Sequence, residues 1–159
     1  MPTEKNTENE LAGWCLEQMI LLEGETQSKG SIDDTNIFLE ALRVEASHRH
    51  FFRLRTHASG RSWVAMRSPP TLENNLQFAA LAQVFQGIGA PQLLASDFER
   101  GFFLMEDLGS LHLSDAYESA AGDSLALQRL VDSALDALLP LQEIADPAIP
   151  PYDEARLIV

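Results

Sequence analysis

Two short stretches of this sequence carry side chains able to do chemistry. The first is Glu45-Ala46-Ser47-His48-Arg49-His50. There a hydroxyl, a guanidinium and the backbone amides of one turn could contact phosphate oxygens together. The turn has no glycine, so a glycine-rich phosphate cradle is not available, and a solvent-exposed turn with incidental basic residues remains the alternative. His48 and His50 would share one face of a strand, but no third ligand lies near them, so no metal site is expected. The second stretch is Gly101-Phe102-Phe103-Leu104-Met105-Glu106-Asp107-Leu108-Gly109, an apolar run that stops at two carboxylates. Consecutive strand residues point to opposite faces, so Glu106 and Asp107 cannot converge on one substrate atom as a glycosidase pair would. They read as a polar strand end, Met105 as core, and Gly109 as a turn made without a Cβ penalty. Between the two stretches Val64-Ala65-Met66 ends in Arg67, a permanent forked cation suited to phosphate or simply to the surface.

Helices and strands must bring these residues together. The apolar positions Leu11, Trp14, Cys15, Met19, Leu21 and Leu22 predict a helix over 8–23, stopped by Gly24. A first strand is expected to start over 42–45, and Phe51 to Thr56 alternates as a half-buried strand should. Ala58-Ser59-Gly60 is turn chemistry and 62–67 returns as the second arm of a hairpin, ended by Pro69-Pro70. Thr71 is the expected N-cap of the next helix, with Asn74 at its N3 position and Gly87 and Gly89 closing it. Leu93 to Ala95 and Phe102 to Met105 read as short strands, 111–118 as a short helix and 124–144 as a longer one. Its apolar face is Leu127, Leu130, Val131, Ala134, Leu135, Leu138, Leu139 and Leu141. The order predicts an α+β fold with an antiparallel sheet.

Composition narrows the classes of function. Eleven basic against 24 acidic residues give a net charge of −13, which repels phosphate backbones, so neither nucleic acid nor an anionic membrane is an expected partner. One cysteine, Cys15, allows no intramolecular disulfide, and the polar first residues carry no signal-peptide pattern, so a cytoplasmic location is expected. No apolar run approaches the length that spans a bilayer.

Taken in order, the Ser-x-Arg turn, the Val64–Arg67 strand, the following helix, Gly89-Ala90-Pro91-Gln92-Leu93-Leu94 and the Met105–Gly109 connector resemble the amino-terminal half of an aminoglycoside-phosphotransferase-type kinase. Within that superfamily the resemblance is to the bacterial cell-wall sugar kinases, which phosphorylate N-acetylmuramate and N-acetylglucosamine at the anomeric hydroxyl. It implies a protein-kinase-like N-lobe of about five antiparallel strands, preceded by one helix and followed by the first helices of a C-lobe. The expected division is a frayed 1–7, an N-lobe with its hinge over 8–109, and the start of a helical lobe over 110–159. ATP with Mg²⁺ is the implied cofactor. Ser47 and Arg49 match the family's phosphate turn, and Arg67 stands where kinases place the lysine on the α- and β-phosphates. Met105 would line the adenine pocket, with the Glu106 carbonyl and the Leu108 amide pairing with the base. Phe78 stands where related kinases carry the glutamate that holds the lysine, and Glu73 lies about one turn too early, so that ion pair is not evident.

The Pro150-Pro151-Tyr152-Asp153 segment resembles the family's link into the helical lobe, in which the catalytic His-x-Asp loop and the metal-binding Asp follow. No His-x-Asp pair occurs in these residues; His112 with Asp115 stands too early. The resemblance therefore implies the nucleotide-binding half of an amino-sugar phosphotransferase of peptidoglycan recycling, inactive on its own, with an amino sugar bound only if a C-lobe is supplied. The alternatives are a non-catalytic nucleotide-binding or protein-interaction module, or a truncated gene product without activity. The helix over 124–144 is expected to expose part of its apolar face and to favour self-association.

Overall fold

The computed structural model describes residues 4–24, 37–42, 47–56 and 61–150. The chain divides into two compact units, Met1–Ala79 with Pro91–Asp107, and Ala80–Ala90 with Leu108–Val159.

The first unit is built on a five-stranded antiparallel sheet. Its strands are β1 (Ile37–Ala41), β2 (His50–Thr56), β3 (Ser62–Arg67), β4 (Leu93–Asp97) and β5 (Phe102–Glu106), in the order β1-β2-β3-β5-β4. The first strand starts earlier than expected: β-branched and aromatic character begins at Ile37-Phe38, and Leu42 follows the strand, its N–H donating to the Phe51 carbonyl at 2.9 Å. The Ala58–Gly60 turn and Glu45 lie outside the described residues, but the antiparallel register of Leu54 with Trp63 and Phe52 with Ala65 gives the expected hairpin.

Strand alternation divides the core into two faces. On one, Phe52, Leu54, Trp63, Ala65, Phe102 and Leu104 pack against α1 (Glu4–Gly24) through Leu11, Trp14, Cys15 and Met19. The spacing of those four residues puts them on one stripe of the helix, and the Trp14 ring meets Phe102 at 5.9 Å. Leu21 and Leu22, expected on that stripe, are exposed instead. On the other face Met66, Phe103 and Met105 gather with Phe51, Val64, Leu93 and Phe78, whose ring meets Phe103 edge-on at 5.4 Å. Burial of these side chains is the main force holding the sheet.

Phe78 belongs to α2 (Asn75–Phe85), which starts one turn later than the sequence pattern suggested. The N–H groups of Leu72 and Glu73 donate to the Pro69 carbonyl at 3.0 Å each, so residues 69–73 form a turn rather than helix. Asn74, not Thr71, caps the helix: its Oδ1 accepts from the Gln77 N–H at 3.1 Å. Beyond α2 a short 3-10 turn, Gln86–Ile88, ends at Gly89 with φ 87°, the left-handed conformation expected of a closing glycine.

The second unit contains that 3-10 turn, α3 (Leu113–Ser119) and α4 (Ser124–Glu143). His112 and Asp115 form a capping box at the start of α3, and Asp123 Oδ1 accepts from the Leu125 and Ala126 N–H groups at the start of α4. Leu127, Leu130 and Ala134 are half-buried, whereas Val131, Leu135, Leu138, Leu139 and Leu141 are exposed, as the sequence pattern led one to expect of this face. Among the described residues no helix is long and apolar enough to cross a membrane.

Candidate functional site

One carboxylate joins the β1–β2 turn to the segment before α2. Glu73 Oε1 accepts the His48 N–H at 3.1 Å, and Glu73 Oε2 lies 3.0 Å from Arg49 Nη2. Arg49 Nε donates to Ser68 Oγ at 3.4 Å, and its guanidinium stands 5.0 Å above the Phe78 ring. Ser68 is fully buried; its hydroxyl donates to Asn75 Oδ1 at 2.5 Å, and Asn75 Nδ2 donates back to the Ser68 carbonyl at 2.9 Å. The Ser68 N–H in turn donates to the Gly101 carbonyl at 2.7 Å. Arg49 is thus held by a carboxylate from the turn before α2, a hydroxyl just after β3 and a ring on α2. Glu73, which looked a turn too early to pair with a strand-end cation, finds its partner in the turn instead.

The expected site residues divide between the two faces of the sheet. Met105 lies in the cluster that contains Phe78, and Arg49 stacks on that same ring, so these two share a face. Arg67 is registered opposite Phe102 and alternates with Ala65, which places it on the side covered by α1. Its Nε is buried and has no hydrogen-bond partner among the described residues. Ser47 is exposed, and its Oγ accepts the Arg49 N–H at 3.3 Å. Among the described residues no group of three or more histidine, cysteine or acidic side chains could hold a metal ion.

Hydrogen bonds and an ion pair hold the start of the connector after β5. The Glu106 N–H donates to the Gln92 carbonyl at 2.9 Å, and Glu106 Oε2 accepts the Gln92 N–H at 3.3 Å. Asp107 is not the solvated strand end that its position suggested. Its carboxylate receives both arms of Arg53, Nε to Oδ2 at 2.7 Å and Nη2 to Oδ1 at 3.1 Å, and the two side chains are 3% and 10% exposed. Leu108, the next residue, is 61% exposed.

Sequence reasoning missed Arg53, Asp107, Ser68 and Asn75. One signal existed: Arg53 alternates with Phe51 on an apolar face, and a cation there needs a buried carboxylate. Nothing in the spacing names Asp107 as that carboxylate. Two further groups are perturbed. Arg100 bonds Asp97 through its backbone N–H and its side chain, at 2.9 and 2.8 Å, and holds that carboxyl below the usual range. Burial pushes the Cys15 thiol up to about 12.

Comparison with known proteins adds a family to this geometry. The chain is 36% identical over 116 residues to a protein of Pseudomonas aeruginosa named N-acetylmuramate/N-acetylglucosamine kinase, a match covering 71% of this chain and 32% of that protein. A protein of the same name from Pseudomonas putida is 35% identical over 122 residues, covering 75% of this chain and 34% of the relative. One from Neisseria meningitidis is 28% identical over 116 residues, covering 72% and 34% respectively. No family model and no solved structure matches the chain. The chain spans about a third of the length of these curated relatives. Its sequence is therefore related to that of the N-acetylmuramate/N-acetylglucosamine kinases, as its turn, strand and connector motifs had implied.

Proposed function

We propose that this chain carries the nucleotide-binding part of an ATP-dependent amino-sugar phosphotransferase, with a protein-kinase-like N-lobe as its first unit. The observation that carries the reading is the similarity of 71% of the chain to a protein named as a kinase of N-acetylmuramate and N-acetylglucosamine. A five-stranded antiparallel sheet, a helix between β3 and β4, and a connector leaving β5 support it.

The residues fit ATP unevenly. Arg49 has five N–H donors; among the described residues Glu73 and Ser68 engage two of its nitrogens and leave donors for a phosphate oxygen. Ser47 stands exposed beside it. Arg67 Nε has no hydrogen-bond partner among the described residues, but Arg67 lies on the opposite face from Met105, so Arg49 is the better-placed cation in this reading. Base recognition falls to the Glu106 carbonyl and the Leu108 amide, with Met105 behind them. Bound Mg²⁺ would neutralise phosphate charge, and in this reading its ligands and the sugar site belong to a second lobe. A cytoplasmic location and a role in peptidoglycan recycling go with this reading.

A second reading is a protein-interaction module, and the exposed leucines of α4 favour it. Calorimetric titration with ATP separates the two. Saturable binding that weakens on Arg49→Met supports the kinase reading; no binding at millimolar ATP overturns it. In either case the 159 residues alone should release no ADP above background with Mg²⁺, ATP and N-acetylmuramate or N-acetylglucosamine, because they contain no His-x-Asp loop to orient the acceptor. Sugar-dependent turnover lost on Arg49→Met would overturn that expectation.

A further inference from the structure

We propose that the Arg53–Asp107 ion pair positions the connector after β5, acting on the base-binding end of the nucleotide and not on its phosphates. The inference rests on the nucleotide-binding reading above. Asp107 stands between Glu106 and Leu108, the two residues whose backbone groups that reading assigns to the base. The last recorded sheet pairing of β5 is Glu106 with Trp63, so beyond it the strand ladder no longer fixes the chain. Two residues past Asp107, Gly109 adopts φ 95° and redirects the backbone. Asp107 thus ties the connector to β2 just ahead of that bend.

How it is held is specific. Arg53 on β2 is registered opposite Val64 on β3, Val64 opposite Met105 on β5, and Asp107 follows Met105 by two. The guanidinium therefore reaches across the central strand to the end of β5 and meets the carboxylate with two parallel bonds, 2.7 and 3.1 Å. A bidentate fork fixes orientation as well as distance. As a source of stability a buried ion pair is poor, since desolvating both charges offsets most of their attraction, and two apolar side chains of similar size would serve as well. What apolar side chains would not supply is the angle at which the backbone on either side of Asp107 leaves the sheet.

The test uses the 159-residue chain with two ligands, magnesium ATP and magnesium tripolyphosphate, which carries the phosphates without the base. Asp107→Asn removes the charge, and the double variant Arg53→Met/Asp107→Leu replaces the pair with apolar groups. Both variants should lose ATP affinity by about tenfold or more while tripolyphosphate binding stays within about twofold of wild type. The double variant should also keep the wild-type circular dichroism spectrum. Unchanged ATP affinity in the double variant, equal loss of both ligands, or a double variant that fails to fold would each overturn the inference, the last two by showing a general structural role. A wild-type chain that binds neither ligand overturns the nucleotide reading and this inference together. One that binds ATP while the folded double variant binds it equally well overturns the inference alone.

Discussion

Arg49 and Glu73 are bound to each other at 3.0 Å while the second oxygen of the same carboxylate accepts the His48 amide, so one acidic side chain fixes both the cation and the backbone of its turn. The side chains are 25% and 15% exposed, so water screens the pair only in part and a phosphate could still approach the guanidinium from the open side.

That arrangement separates two arginines the sequence could not rank. Arg49→Met should weaken ATP binding by about tenfold, roughly 1.4 kcal/mol, whereas Arg67→Met should change it by less than about twofold. Calorimetric affinities of the two variants check this; a larger loss at Arg67 would reverse the assignment.

Gly101 has φ 70°, and a Cβ there would stand 2.0 Å from the Ser68 carbonyl oxygen. Backbone strain alone costs roughly 1–3 kcal/mol, and the clash adds to it. Gly101→Ala should therefore lower the urea midpoint clearly without changing its slope much. Because Ser68 also bonds Arg49, the variant should bind tripolyphosphate more weakly as well.

The exposed leucines of α4 should bind a hydrophobic dye and promote association as concentration rises. Replacing Leu135 and Leu139 with glutamine should reduce both, seen in dye fluorescence and in light scattering after size exclusion. Equal scattering from wild type and variant at all concentrations would speak against this face as the contact.

Cys15 is fully buried, and desolvation raises its pKa from 9.0 to about 12. The fold favours the neutral thiol, so its contribution to stability is complete below pH about 9 and is lost as pH rises toward about 12. At pH 8 iodoacetamide should label native protein on the order of 100-fold more slowly than protein in urea. Comparable rates in both would show that the α1 side of the core opens readily.

Much of the first unit was legible because its residues alternate between the two faces of a strand: Phe52 and Leu54 point to one side, Phe51 and Arg53 to the other. The start of α2 was misplaced because Pro69 and Pro70 impose a turn on residues that otherwise suit a helix, leaving Asn74 to cap it. The site was legible only in pieces. Arg49 and Met105 were named, but Glu73 pairing back to the turn and Asp107 pairing across to β2 are long-range choices, and no local period encodes which distant carboxylate meets which cation. The face of Arg67 depended on strand register, where a shift of one residue reverses every side chain.

The strand order has a kinetic consequence. Strands β1, β2 and β3 each pair with their neighbour in sequence, as do β4 and β5, so these contacts close short loops. Among the described strands only β3 with β5 joins the two groups, across the whole insertion that contains α2. That single pairing carries most of the entropic burden of assembling the sheet, and it is the step that brings Ser68 to Gly101 and carries the end of β5 to Arg53. The contacts that shape the candidate site are therefore made together with the least local pairing of the fold, and a chain that has formed its hairpins but not this seam has strands without a site.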